Sequence, residues 1–224
     1  MSRENDVLST GAYDVASAEV NKVLRNTYAL LAMTLVFSGL TAMLSMALSM
    51  PPMTYLFSIG GAFLLMWLVM PKVANSASGI GVVFLITGLL GFGLGPILNN
   101  YLAMESGGQV VATALGGTGV IFLALSAYAL TTKRDFSFLG GMLMVGFLVV
   151  LGFALVNVFL QIPAMSLMIS SVVILLMSGF ILFDTSRIVN GGERNYVIAT
   201  IGLYMTIFNI FISLLNLLGF ASDD

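Results

Sequence analysis

"SMALSMPPMTYLF", residues 45–57, decides how many times this chain crosses a membrane. It sits inside a nearly continuous apolar run from residue 28 to residue 70, too long for one span. Pro51 and Pro52 supply the break. Proline has no N–H to give a helix interior, and its ring pushes the preceding residue out of helical conformation. The pair therefore divides the run into two helices, 28–49 and 53–70.

Apolar windows of about 20 residues, each enough to cross a ~30 Å hydrocarbon core, recur at 79–98, 110–131, 138–160, 165–185 and 197–220. The breaks carry turn-forming or charged residues: Pro71-Lys72, Lys133-Arg134-Asp135, Gln161 with Pro163, and Asn190-Gly191-Gly192-Glu193-Arg194. Composition agrees. The chain has 224 residues, 59% hydrophobic and only 8% charged, where a soluble domain needs roughly a quarter charged. The expected fold is an all-α membrane protein, a seven-transmembrane-helix bundle over 27–220. Residues 1–26 are polar, carry both signs and lack the pattern of a secretory signal. They are expected as a partly disordered N-terminal tail with a short interfacial helix at "VASAEVNKVL" (15–24), and 221–224 as a short C-terminal tail.

Orientation follows from the basic residues. With seven spans and the N-terminus inside, Arg3, Lys22, Arg25, Lys72, Lys133, Arg134, Arg187 and Arg194 all fall on the cytoplasmic side. Those are all eight in the chain. The N-terminus is therefore expected in the cytoplasm and the C-terminus in the periplasm.

Several function classes drop out. There is no cysteine, hence no disulfide, thiol chemistry or thiolate-bound metal, and no histidine, the commonest metal ligand and near-neutral switch. No metal, cofactor or catalytic set is expected: Ser and Thr are abundant, but none has a base beside it. Net charge is −2 with no basic run, so nucleic acid is not an expected partner. The lipid bilayer is.

Polar residues line up within the spans. Thr34, Ser38, Thr41 and Ser45 share one face of the first. Ala199, Gly202, Thr206, Asn209, Ser213 and Asn216 make a small-and-polar seam along the seventh. Hydrocarbon offers no hydrogen bonds, so both seams should face the bundle interior, either as packing surfaces or as the lining of a hydrated path. Gly88, Gly91, Gly93, Gly95 and Pro96 cluster in the third span, which reads as a close helix crossing or as a broken helix beside a cavity. Asp184 is the one acid at the edge of a span, three residues before Arg187. That spacing puts both on one helix face, so Asp184 is either half of an anchoring ion pair or a functional carboxylate.

"FDTSRIVNGGE" (183–193) and "IGLYMTIFNIFISLLNLLG" (201–219) resemble the end of the Bax inhibitor-1 (transmembrane BAX inhibitor motif) family. "RNTYALLAMTLVFSGLTA" (25–42), "GFGLGPILNNYL" (91–102), "ALGGTGVIFLALSAYALTTKRDFSFLGGML" (114–143) and "NVFLQIPA" (157–164) are similar to its bacterial YccA-like branch. The resemblance implies two functions. Some members resemble calcium leak channels in which two aspartates share a proton as a pH sensor. Asp184 matches the first aspartate; at the second position this chain has Thr206, in Leu203-Tyr204-Met205-Thr206. A threonine has no proton to lose, so the shared-proton sensor is expected to be absent. The YccA-like branch implies a regulator of the bacterial inner membrane that binds FtsH, a membrane-anchored ATP-dependent protease, limits its action, and is itself a slow substrate gripped by residues 1–26. On this reading Asp184 and Arg187 are structural. On the leak-channel alternative, Asp184 works with the Thr206, Asn209, Ser213 and Asn216 seam to pass a cation such as calcium.

Overall fold

The computed structural model describes residues 2–132 and 134–222, with side chains from residue 18 onward. Lys133, the last two residues of the expected C-terminal tail and the side chain of Arg3 lie outside the described residues. Among the described residues, seven helices are long and apolar enough to cross a membrane: α1 (Ser2–Ala47, with Ala18–Ala47 as the span), α2 (Met53–Val73), α3 (Ser78–Leu102), α4 (Gly107–Thr132), α5 (Leu139–Leu160), α6 (Pro163–Val189) and α7 (Tyr196–Ser222). No strand occurs among the described residues.

The break at Pro51 is real. Ser49 takes a left-handed conformation (φ 50°) and the Met50 N–H reaches back to the Ser45 carbonyl at 3.3 Å, a closure that caps the end of α1. Ahead of the membrane the outcome differs from expectation. The segment read as a partly disordered tail with one short helix is continuous with α1, which runs as a single helix from Ser2. Once the spanning turns exist, each further residue adds a hydrogen bond without a new nucleation cost. No proline interrupts residues 2–47, so the helix propagates outward. In α2 a π-helical turn at Leu65–Val69, with the Met70 N–H bonded to the Leu65 carbonyl, precedes Pro71. The wider turn makes room where the proline ring would otherwise strike the carbonyl four residues back. Gln161 (φ 51°) ends α5, and the Asn157 side chain accepts the Ile162 N–H at 3.0 Å.

α7 is the central post. Its most apolar window is 67% buried, against 11% for α5, and α1, α3, α4 and α6 pack around it. Large side chains elsewhere point outward to lipid, among them Phe57, Trp67 and Phe159. The seam of α1 turns toward α3: Thr34, Ser38 and Ser45 are buried and Thr41 half-buried. A Cβ on Gly91 would collide with the Ser38 carbonyl and lie 2.5 Å from the Thr41 hydroxyl, and one on Gly95 would collide with Ser45. Only glycine permits this approach. α3 runs unbroken through Pro96, so the glycine cluster marks a close crossing and not a broken helix.

At mid-depth Tyr204, 2% exposed, joins three helices. Its hydroxyl donates to the Thr87 carbonyl of α3 at 3.3 Å and meets the Ser38 hydroxyl of α1 at 2.5 Å.

Replacing Gly91 by leucine forces overpacking at the α1–α3 crossing, with an expected loss of about 1–3 kcal/mol. Gly39, whose added Cβ would meet nothing within 4 Å, tolerates alanine. Thermal unfolding in detergent should separate the two variants; equal midpoints would contradict the close crossing.

Candidate functional site

The described basic residues of the turns, Lys72, Arg134 and Arg194, gather at one end of the bundle, and the α6–α7 connection fastens that end together. α6 stops where Gly191 adopts φ +73°, a conformation that costs glycine little. The N–H groups of Gly192 and Glu193 then bond the Arg187 carbonyl at 2.8 and 3.0 Å. Glu193 accepts the Asn195 N–H at 2.9 Å. The Asn195 side chain works in two directions. Its oxygen accepts the N–H groups of Val197 (2.9 Å) and Ile198 (3.2 Å), capping α7. Its amide donates to the Ala74 carbonyl (2.9 Å) and the Asn75 side chain (2.8 Å) in the α2–α3 turn. On the other side Asn190 donates to the Arg134 carbonyl at 3.4 Å, and the Ser186 hydroxyl accepts the Phe136 N–H at 3.2 Å. Three interhelical turns are thus tied into one surface. In the α4–α5 turn the Ser137 side chain and its N–H, the latter at 2.8 Å, both donate to Asp135 and hold its carboxyl below the ordinary aspartate range. Beside the α6–α7 connection, Glu19, Lys22 and Asn26 of α1 line a pocket of about 430 Å³ with Asn190, Glu193 and Arg194.

Asp184 and Arg187 do not form the expected ion pair. Arg187 turns away to Glu193 (3.5 Å) and lies over the Phe183 ring, 5.4 Å from its centroid. The Glu193 carboxylate lies farther along, on the turn the side chain follows out of the span, and a guanidinium over an aromatic face keeps part of its stabilisation there. Asp184 instead packs against α7. A Cβ on Gly202 would lie 3.2 Å from its carboxylate oxygen, so the glycine sets how near the acid can come. Among the described residues its carboxylate has neither hydrogen bond nor salt bridge. Its neighbours Thr185 and Ser186 are fully buried, with Thr185 facing Ser126 of α4 at 3.4 Å.

Thr206 lies one turn along α7 from Gly202 and donates to the Gly202 carbonyl at 3.0 Å. Asp184 and Thr206 therefore adjoin the same glycine, but only one carboxylate is present. Farther along, Asn209 donates to the Met205 carbonyl at 2.8 Å and Ser213 is buried. Asn216 bridges to Ser166 (2.8 Å) and Ser170 (3.0 Å) of α6. Thr206 and Asn209 thus bond their own backbone and Asn216 bonds α6, an arrangement that suits helix packing. Among the described residues no three His, Cys, Asp or Glu side chains lie together as metal ligands.

The sequence pointed to no partner for Tyr204 or Glu193 and did not single out Asn195. Asn195 carried a legible signal, an asparagine directly ahead of an apolar helical run. Tyr204 carried a fainter one: a buried tyrosine needs a partner for its hydroxyl, and Ser38 sat on the inward face of α1.

Comparison with known proteins places these features in context. A family model described as inhibitor of apoptosis-promoting Bax1 matches residues 20–223. The chain is 51% identical over 220 residues to the modulator of FtsH protease YccA of Escherichia coli K12, covering 98% of this chain and all of the relative. It is equally similar to the inner membrane protein YccA of Escherichia coli O6:H1, and 50% identical over 206 residues to a membrane protein of Vibrio cholerae, 92% of each chain. These names describe an inhibitor, a modulator and membrane proteins rather than catalysts.

Asn195→Ala removes the α7 cap, worth about 0.5–2 kcal/mol, together with both bonds to the α2–α3 turn. Hydrogen exchange should quicken at residues 74–79 and 196–199, while Asn209→Ala, whose amide bonds only its own helix, should leave those segments unchanged.

Proposed function

The chain belongs to the family of inhibitors of apoptosis-promoting Bax1, and on that footing we propose that it is an inner-membrane regulator that binds the FtsH protease complex and limits its action on membrane substrates. The observation that carries this reading is the 51% identity, over 98% of the chain, to a protein named modulator of FtsH protease. The polypeptide lies with its N-terminus in the cytoplasm and its C-terminus in the periplasm. That orientation puts the basic turns inside, as the distribution of Lys and Arg favours.

The mechanism is competitive. An ATP-driven protease pulls from a chain end, and residues 1–17 lie ahead of the Ala18–Ala47 span on the proposed cytoplasmic side. Beyond them the protease meets a bundle whose turns are tied together by Asn190 and Asn195. Extraction stalls where pulling on α1 must break the Gly91 and Gly95 crossing and the Tyr204 bonds together. A substrate that engages readily and unfolds slowly occupies the protease and protects others. Asp184 and Arg187 are structural in this account. With Thr206 in place of a second acid, no proton is shared between carboxylates.

The leak-channel reading rests on a different observation, the unpartnered Asp184 carboxylate against Gly202. It predicts calcium flux into protein-containing vesicles that falls in Asp184→Asn. The regulator reading predicts no Asp184-dependent flux.

The direct experiment deletes residues 2–17, leaving the whole Ala18–Ala47 span in place. FtsH should be recovered in mild detergent with the full chain. In cells the shortened chain should be degraded more slowly, and FtsH turnover of other membrane proteins should rise. If the deletion changes neither its own turnover nor that of other FtsH substrates, the competitive mechanism fails.

A further inference from the structure

Between α1 and α4 the bundle is open at the side. Among the described residues these helices make no close backbone approach; the Tyr28 and Phe122 rings, centroids 6.1 Å apart, bridge the gap toward the charged end. Beyond that ring pair, in the half of the bundle away from the charged end, lies a cavity of about 470 Å³. Tyr204, Phe208 and Phe211 of α7 form its floor, and α1 and α4 form its walls. Gly39 and Gly119 flank the mouth, and a Cβ added to either meets nothing within 4 Å. Met43 and Leu115 beside them are 66% and 58% exposed, so the mouth opens onto the lipid-facing surface.

The lining decides what fits. No charged side chain contributes to it, and its three hydroxyls are engaged. Thr118 donates to the Ala114 carbonyl at 2.7 Å, while Ser38 and Tyr204 bond one another. Water needs two to four polar partners to stay in such a space, and an apolar cavity without them remains dry. The solvent at the mouth is hydrocarbon. A helix with side chains is about 10–12 Å across, too wide for this volume, whereas a single methylene chain slides in between the two glycines. No hydrophobic gain accompanies its transfer out of lipid; the gain is dispersion contact with walls that otherwise face a void.

We propose that this cavity is an acyl-chain site: one fatty chain of a bilayer phospholipid enters laterally between α1 and α4 at Gly39 and Gly119 and lies on Tyr204, Phe208 and Phe211. The headgroup stays in the leaflet away from the charged end. The chain occupies the space beside the Ser38–Tyr204 bond and so braces α1 against α7. The inference stands apart from the protease reading and does not require it.

The test reconstitutes the full chain into phospholipid vesicles doped with a phosphatidylcholine carrying a photoactivatable diazirine in one acyl chain, and maps adducts by mass spectrometry. Lipid-facing Phe57 and Phe159 must label in any case. The proposal expects label also on the floor residues Phe208 and Phe211, only 8% and 7% exposed. Filling the mouth with Gly39→Leu and Gly119→Leu together should reduce floor labelling to background while Phe57 and Phe159 keep theirs, and each single variant should give a partial loss. An unlabelled floor in the unaltered protein overturns the site regardless of how the variants fold. So does floor labelling that persists in the filled variant, or that arises from a diazirine free fatty acid and not from the phospholipid.

Discussion

The structure depends on one constraint: inside hydrocarbon, a polar atom without a protein partner has nothing else to bond. An orphaned buried hydroxyl costs roughly 1–3 kcal/mol, so α7, which carries Tyr204, Thr206, Asn209, Ser213 and Asn216, cannot stand at the lipid surface. It occupies the centre, with α1, α3, α4 and α6 around it. Four of these five side chains are hydrogen-bonded, and Ser213 is buried against its neighbours. Thr206 and Asn209 return to their own backbone, Asn216 reaches two serines of α6, and Tyr204 ties α1 to α3. α5, which is 11% buried over its most apolar window, has no such seam and lies at the periphery. Position in the bundle thus follows polarity.

Close approach of backbones is the second requirement. Hydrocarbon does not drive helices together, so association relies on packing, and packing improves as side chains shrink. Gly91 and Gly95 let α3 meet the hydroxyl-bearing face of α1, and Gly202 lets α7 meet Asp184. The same economy of volume leaves space where glycines face no partner. Gly39 and Gly119 open the flank between α1 and α4 because nothing crosses in front of them.

Much of this was legible in the residues. Span number and the Pro51 break follow from apolar length and from the chemistry of proline, both local properties. The family and its branch were legible from long matching stretches, and the match over residues 20–223 agrees. What the sequence concealed was pairing. Spacing alone put Arg187 on the same face as Asp184, yet the arginine had a second acid, Glu193, within reach once Gly191 turned the chain back. Periodicity likewise put Ser38 and Tyr204 on inward faces, but only the arrangement of helices brings residues so far apart in sequence together. The N-terminal segment misled because polar composition was read as disorder, although nothing in it stops a helix growing outward from α1.

A packed α7 seam, the core of a body that resists extraction, should admit no water. The chain contains no cysteine, so single cysteines report on water without background. The decisive measurement is the reaction rate of Asn209→Cys and Ser213→Cys with a membrane-impermeant thiol reagent in vesicles and in detergent, against Glu193→Cys in the α6–α7 turn. Prompt reaction is expected at residue 193 and none at 209 or 213 until the protein is unfolded. Reaction at 209 and 213 at the rate of the turn would show a water-filled path along α7 and contradict the packed seam.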